Sequence, residues 1–333
     1  MSYDKFRFYL KTLKVYARYQ LGYAIPFLVM LRINQKCNLT CSFCRLWRLK
    51  EAKEMNTKIL LELIDDLARI GVPYLNITGG EPLMRDDLEI IGKHAAKQGL
   101  FTTINTNGTF LTKTKAALIA NCFDIIKVSL DGFEMTHDRI RGIDGTYRKV
   151  HKGLKNLLAV PNRKAKVMIH FVANSDNIQE MPKFVSYFSK IVDAITIMPQ
   201  FDMSSNTVYQ SEAFFRYWKQ VDKDYILQES NDILVKPSFK IGKNYCDASK
   251  LYYSVWPNGD VICCPNRVWK LGNLKHESFH DIWKNSLTEA QKKKISLCKG
   301  CFCRSSVEVS MIMRKNPMQL LFNAPGLIRK FRF

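Results

Sequence analysis

Apolar runs at 27–31, 74–78, 101–106, 124–129, 166–172 and 194–198 alternate with amphipathic helical patterns. Between them Leu60, Ile64 and Leu67 share a helical face, as do Leu88 and Ile91, and then Val150, Leu154 and Leu157. Such alternation requires a parallel sheet covered by helices. Six strand-helix units are too few to close an eight-stranded barrel and leave an open arc that admits a large substrate from the side. Periodicity alone equally allows a doubly wound sheet.

In parallel β/α folds, chemistry collects at the C-terminal ends of the strands. Gly79-Gly80-Glu81-Pro82 follows the second run, Thr106-Asn107-Gly108 the third and Ser129-Leu130-Asp131-Gly132 the fourth. Taken alone each is a turn. Glycine lets the backbone approach a ligand, and Glu81 can orient an ammonium group. Directly after the first run come Cys37, Cys41 and Cys44 in a C-x3-C-x2-C spacing, with Phe43 before the last. Three soft thiolates on one loop leave one iron of a four-iron, four-sulfur cluster without a protein ligand. Zinc is the competing occupant, but it wants a fourth ligand. No further cysteine stands between Cys44 and Cys122, which leaves His94 or a distant cysteine to complete a zinc site.

The cysteine spacing with Phe43 and the Gly-Gly-Glu-Pro turn resembles the radical S-adenosylmethionine (SAM) enzymes, over most of the chain. The resemblance implies a partial (β/α)6 TIM-like barrel in α/β class. It also implies that the open iron chelates the amino and carboxylate groups of SAM. It assigns Gly79, Gly80, Glu81 and Pro82 to the SAM amino group and places Asn107, Ser129 and Asp131 along the same pocket. The stretch from His137 to Gly142, followed by Gly145-Thr146-Tyr147, resembles the one in which an arginine meets the SAM carboxylate, and Arg141 suits that bidentate role. Asn174 and the Met198-Pro199 corner are the candidates for ribose and adenine. His170, flanked by apolar residues, is expected to be a satisfied core histidine.

A second cysteine region follows. Cys246, Gly259, Cys264 and then Cys298-x2-Cys301 resemble the Twitch form of the SPASM extension, which carries one auxiliary [4Fe-4S] cluster. The intervening 256–260 segment fits a hairpin turn, and Leu271-Gly272-Asn273 with Asp281-Ile282-Trp283 resembles the same extension. Full ligation by Cys246, Cys264, Cys298 and Cys301 suits electron transfer or structure rather than substrate binding. Cys263 adjoins Cys264 and contests its place. Cys303 can replace Cys301, remain a spare thiol, or act catalytically by donating a hydrogen atom to a substrate radical. A zinc ribbon on the same four cysteines is the alternative. Cys122 reads as a core residue.

The expected organisation is a basic amphipathic helix over 1–26, ended by Pro26, and a barrel over 27–200. A linker with one aromatic helix around 213–225 spans 201–240, the auxiliary cluster domain 241–305, and a basic apolar tail 306–333. Ten cysteines in short-spaced groups and no signal peptide point to metal binding in a reducing, cytoplasmic setting. The net charge of +21 comes from 51 Lys and Arg against 30 Asp and Glu. No nucleic-acid module accompanies it, so nucleic acid is not expected as a partner. Basic, apolar termini too short to span a bilayer suit either an anionic membrane face or packing across the bottom of the barrel, and packing is the favoured expectation.

The resemblance implies an enzyme that takes an electron from a reductant such as flavodoxin or ferredoxin. It cleaves SAM to methionine and a 5'-deoxyadenosyl radical and abstracts hydrogen from a peptide or protein side chain, a sugar-like molecule or a lipid. A non-catalytic iron-sulfur carrier or scaffold is the alternative, and it would need neither the Gly-Gly-Glu-Pro turn nor Arg141.

Overall fold

The computed structural model describes residues 3–49, 53–202, 207–208, 211–221, 247–264, 269–285, 310 and 313–314. Six parallel strands, β1 (Leu28–Arg32), β2 (Tyr74–Thr78), β3 (Phe101–Thr106), β4 (Ile125–Ser129), β5 (Lys166–Ala173) and β6 (Ala194–Pro199), pair in chain order. No pairing joins β6 to β1, so the arc stays open. The residues that alternate outward, among them Val29, Ile77, Ile104, Val128 and Ile169, form one core with the helices.

The helices follow their sequence signals. In α2 (Thr57–Ile70), Asn56 caps the start by accepting from Ile59 N–H at 3.0 Å, and left-handed Gly71 ends it. Its Leu60, Leu63, Ile64 and Leu67 are buried. Next come α3 (Leu88–Lys97) and α4 (Lys113–Cys122), the latter capped by Thr112. Cys122 is buried in the core, as its surroundings in the sequence suggest. The barrel's helical layer continues through α5 (Glu134–Arg141), α6 (Thr146–Leu158) and α7 (Met181–Phe188). The expected aromatic helix is α8 (Glu212–Lys219), with Phe214 and Trp218 buried; it begins at the Ser211 cap. A short ribbon, β7 (Phe201–Asp202) with β8 (Thr207–Val208), precedes it.

The first helix, α1 (Tyr3–Gln20), ends well before Pro26. Gly22 adopts a left-handed conformation (φ 84°), its N–H donates to Tyr19 O, and Tyr23 N–H reaches back to Arg18 O at 2.8 Å. This paired C-terminal bonding stops the helix before the proline can. Val15 and Tyr16 pack on Ile25, Phe27, Leu28 and Tyr252, and the ring of Phe8 lies tilted against that of Phe101 with centroids 4.6 Å apart. These partners lie at the N-terminal ends of parallel strands, so α1 covers the bottom of the barrel. Met313 joins the same cluster, and its carbonyl accepts from Gln20.

The C-terminal cysteine region contains β9 (Tyr252–Val255), β10 (Asp260–Ile262), β11 (Lys270–Asn273) and α9 (Phe279–Asn285). The hairpin turn falls at 256–259, closed by Trp256 N–H to Asp260 O and by left-handed Gly259. Strand β9 pairs in parallel with β1, so the sheet runs on without a break into this region. Tyr253, Val261, Phe279 and Ile282 belong to the main core.

Candidate metal and cofactor site

Three elements grip the loop bearing Cys37, Cys41 and Cys44. Carbonyls at the C-terminus of α5 accept from it: Arg141 O from Thr40 N–H (3.2 Å) and Ile140 O from Ser42 N–H (3.0 Å). Opposite, Gly80 N–H donates to Asn34 O (2.9 Å) and Glu81 N–H to Lys36 O (2.8 Å). A Cβ on Gly80 would stand 2.2 Å from Lys36 O, and one on Gly79 would stand 2.1 Å from Asn34 Oδ1. The two glycines thus let the turn lie directly against the chain entering the cysteine loop. From the end of β3, Asn107 Nδ2 donates to Asn38 Oδ1 (2.8 Å) and stands 3.9 Å from Cys37 Sγ.

Glu81 is fully buried. Its carboxylate accepts from Thr106 Oγ1 (2.7 Å), Asn107 N–H (2.6 Å) and Leu83 N–H (3.0 Å). Burial raises its pKa, and these donors oppose the rise. In this arrangement the side chain locks β2 to β3, and Pro82 opens the short 3-10 turn Pro82–Met84 behind it.

Asp131 and Arg141 meet in the interior. Arg141 Nη2 lies 2.6 Å from Asp131 Oδ2, and the two side chains are 8% and 0% exposed. The guanidinium also places Nη1 3.6 Å from Cys41 Sγ and its Cζ 5.5 Å from the Phe43 ring. Burial raises the Asp131 pKa, opposed by Arg141. Burial also works against the Arg141 charge, but Asp131 and Cys41 more than offset it and raise its pKa. His137, one turn earlier, accepts Asp131 N–H at Nδ1, which puts the proton of the neutral ring on Nε2. Burial, then repulsion from Arg141, drives its pKa well below the ordinary value. Arg141 Nε and His137 Nε2 have no hydrogen-bond partner among the described residues. Buried donors without acceptors are costly, and an arriving carboxylate relieves that cost.

Other expected site residues are placed as follows. Ser129 ends β4 beside His170 of β5. Asn174 is buried, with its Oδ1 accepting from Asp176 N–H (2.9 Å), so it shapes the turn after β5. His170 is satisfied by Thr196 Oγ1 at 2.8 Å but is only half-buried and faces the inside of the barrel rather than the helix-packed core. In the C-terminal region Cys263 and Cys264 are buried just after β10, and Cys263 Sγ lies 3.8 Å from Trp269 O. Cys246, Cys298, Cys301 and Cys303 lie outside the described residues. Asn34, Asn38 and Thr109, which brace the cysteine loop, were not singled out from sequence. Asparagines flanking Cys37 are the signal that points to them, because such side chains brace turns.

The family model for the radical SAM superfamily matches residues 31–188, and that for the SPASM iron-sulfur cluster-binding domain matches residues 246–302. The chain belongs to the radical SAM superfamily. Among curated relatives, the Fe-coproporphyrin III synthase of Methanosarcina barkeri is 27% identical over 67% of this chain and 57% of its own length. Mycofactocin maturase MftC of Mycobacterium tuberculosis is 26% identical over 81% of this chain and 73% of its own. Among solved structures, Streptococcus suis SuiB bound to S-adenosylmethionine superimposes with a TM-score of 0.68, covering 90% of this chain and 77% of that one at 17% identity.

Membership in the radical SAM superfamily brings SAM, a SAM-binding [4Fe-4S] cluster and, with the SPASM domain, an auxiliary cluster. The residues fit the first cluster. Cys37, Cys41 and Cys44 share one braced loop, with Asn107 and Arg141 offering N–H donors to two of the sulfurs, as thiolates require. No three His, Cys, Asp or Glu side chains among the described residues gather as the ligands of one metal ion. A cluster holds its three cysteines on three separate irons and does not ask them to meet at a point. The unmatched Nε of Arg141, on the guanidinium that lies against Cys41, suits the carboxylate of SAM.

Proposed function

We propose that this radical SAM enzyme reductively cleaves SAM and abstracts hydrogen from a carboxylate-bearing substrate held inside the open barrel. When bound, the reduced cluster and SAM supply a 5'-deoxyadenosyl radical, and a one-electron donor such as a flavodoxin or ferredoxin keeps the supply running. The chain's own part is to orient and to exclude water. Asp131 and the carbonyls of α5 hold Arg141 against Cys41, and Glu81 holds the turn that seats the cysteine loop.

The polar interior of the barrel carries the substrate reading. Alternation along the strands turns Arg32, Asn76, Asn105, Lys127, Ser129, His170 and Thr196 inward, where closed barrels are filled by branched apolar side chains. Most of these are partly exposed, so the lumen is accessible. Lys127 has no acidic partner among the described residues, and Arg32 lies 5.1 Å over the Trp256 ring. An inward cation at Lys127 with no acidic partner among the described residues favours an anionic substrate group.

Anaerobic reconstitution with iron and sulfide, followed by SAM and dithionite, tests the chemistry. Wild type should form 5'-deoxyadenosine, and Cys41→Ala should form none. Wild type with a complete cluster spectrum and no 5'-deoxyadenosine would overturn the proposal. Carboxylate-bearing candidates that stimulate the reaction then test the lumen, since Lys127→Gln should raise their KM about tenfold or more, the loss of a charged hydrogen bond. Unchanged KM would remove the anionic-substrate part.

A further inference from the structure

The solvent face of α1 matches no partner within the described chain. Helical spacing brings Phe6, Leu10, Leu13, Ala17 and Leu21 onto one side, where Phe6, Leu10 and Leu13 are 47%, 50% and 48% exposed and Leu21 is 73% exposed. Tyr23, just past the helix, is 72% exposed. Lys14 and Arg18 are exposed on the same side. The other cations of the helix are used differently: Lys11 Nζ donates to Gly99 O at 2.8 Å, and the guanidinium of Arg7 lies against Gly99. No acidic residue occurs from Phe6 to Tyr23. The stripe therefore is apolar with a purely basic flank.

We infer that this face of α1 docks on an anionic lipid surface, lying in the headgroup region with Phe6, Leu10, Leu13 and Leu21 inserted and Lys14 and Arg18 on the phosphates. Amphipathic helices that bind interfaces combine an apolar stripe with Lys and Arg on its polar flank. No helix among the described residues is long and apolar enough to cross a membrane, so α1 lies on the surface and does not span it. Charge complementarity decides against a second copy of the chain. A two-fold contact between two α1 faces would bring Lys14 and Arg18 of both copies together with no acid on the face to answer them. Nucleic acid would use the cations but leave the apolar stripe in water.

The docked orientation follows from the fold. Helix α1 covers the N-terminal ends of the strands, whereas the cysteine loop and Arg141 lie at the C-terminal ends. The mouth of the barrel then faces away from the bilayer. The lipid anchors the enzyme, and the substrate arrives from the aqueous side.

Flotation of the full-length protein under anaerobic conditions, with vesicles of phosphatidylcholine alone and of equimolar phosphatidylcholine and phosphatidylglycerol, tests this. Wild type should float with the anionic vesicles and lose most binding in high salt. The double variant Leu10→Ser, Leu13→Ser and the double variant Lys14→Glu, Arg18→Glu should each bind at least about tenfold more weakly. These side chains are solvent-facing, so circular dichroism should be unchanged, and formation of 5'-deoxyadenosine should match wild type. The inference is overturned by any of three results. These are wild type staying unbound on anionic vesicles, either variant binding as wild type does, and sedimentation showing the stripe holding two copies together. None of these results bears on SAM cleavage.

Discussion

The bottom of the barrel and its top are made from the same six strands with opposite chemistry. At the N-terminal ends the inward residues Leu28, Tyr74, Phe101, Ile125, Met168 and Ala194 are closed over by α1 with Phe8 and Tyr16, and Lys166 at the rim is answered by Asp193. Toward the C-terminal ends the inward residues become Arg32, Thr78, Asn105, Lys127 and Ser129, and the turns beyond bury Glu81, Asp131, His137 and Arg141. Apolar burial at the bottom stabilises without regard to small changes of geometry. Buried charge at the top stabilises only as a completed network, so the top is where a conservative change should cost most.

Asp131→Asn should show the largest effect. Asparagine keeps an oxygen for Val172 N–H, which Asp131 Oδ1 now accepts at 2.8 Å, but it leaves Arg141 as an uncompensated buried charge. Breaking a buried pair from one side costs about 3–5 kcal/mol, and anaerobic urea unfolding should record it. Asp131→Asn combined with Arg141→Met keeps the acceptor for Val172 N–H, removes the stranded charge and should recover most of that stability while 5'-deoxyadenosine formation stays lost. A stable, active Asp131→Asn protein would erase the contrast between the two ends.

At the bottom, Phe27→Ala removes a ring that is 7% exposed and packs on α1. Its cost should be about 3 kcal/mol, in the lower part of the range for large apolar deletions. SAM cleavage per folded molecule should stay within about twofold of wild type, because stability-directed residues act through the folded fraction. A tenfold loss of cleavage per folded molecule would show that the bottom shapes the top.

Much of the barrel was legible because its signals are local. Strands β2 and β3 fall where the apolar runs place them, and the faces of α2, α3 and α6 follow from 3.6-residue spacing. Pro26 overstates the length of α1, because the turn at Gly22 terminates the helix earlier through two backbone bonds. The parallel pairing of β9 with β1 was invisible, since strands more than two hundred positions apart leave no mark in either segment. The site divides in the same way. Motif spacing brought out Glu81, Asp131 and Arg141, but which of them spend their charge on each other is a matter of burial. Glu81 spends its carboxylate on Thr106, Asn107 and Leu83, and Asp131 spends its own on Arg141 and Val172.

His137 sharpens the comparison with a smaller, pH-dependent effect. Its folded pKa lies well below the ordinary imidazole value of 6.5, through burial first and Arg141 second. Above 6.5 the ring is neutral in both folded and unfolded chains, so it contributes no pH dependence. As pH falls through 6.5 the unfolded chain takes up a proton that the folded chain refuses, and stability declines by up to about 1.4 kcal/mol per pH unit until the folded pKa is reached. His151, whose pKa is also lowered by burial and by Lys155, adds a shallower slope of the same sign. The difference between wild type and His137→Asn isolates the buried ring, because asparagine Oδ1 can take the Asp131 N–H that Nδ1 now accepts. Urea unfolding of both proteins at about pH 7.5 and about pH 5.5 should show the variant losing less stability on acidification. Equal losses would mean that His137 takes up its proton inside the folded protein, and the top of the barrel would then be wetter than the burial of Arg141 and Asp131 implies.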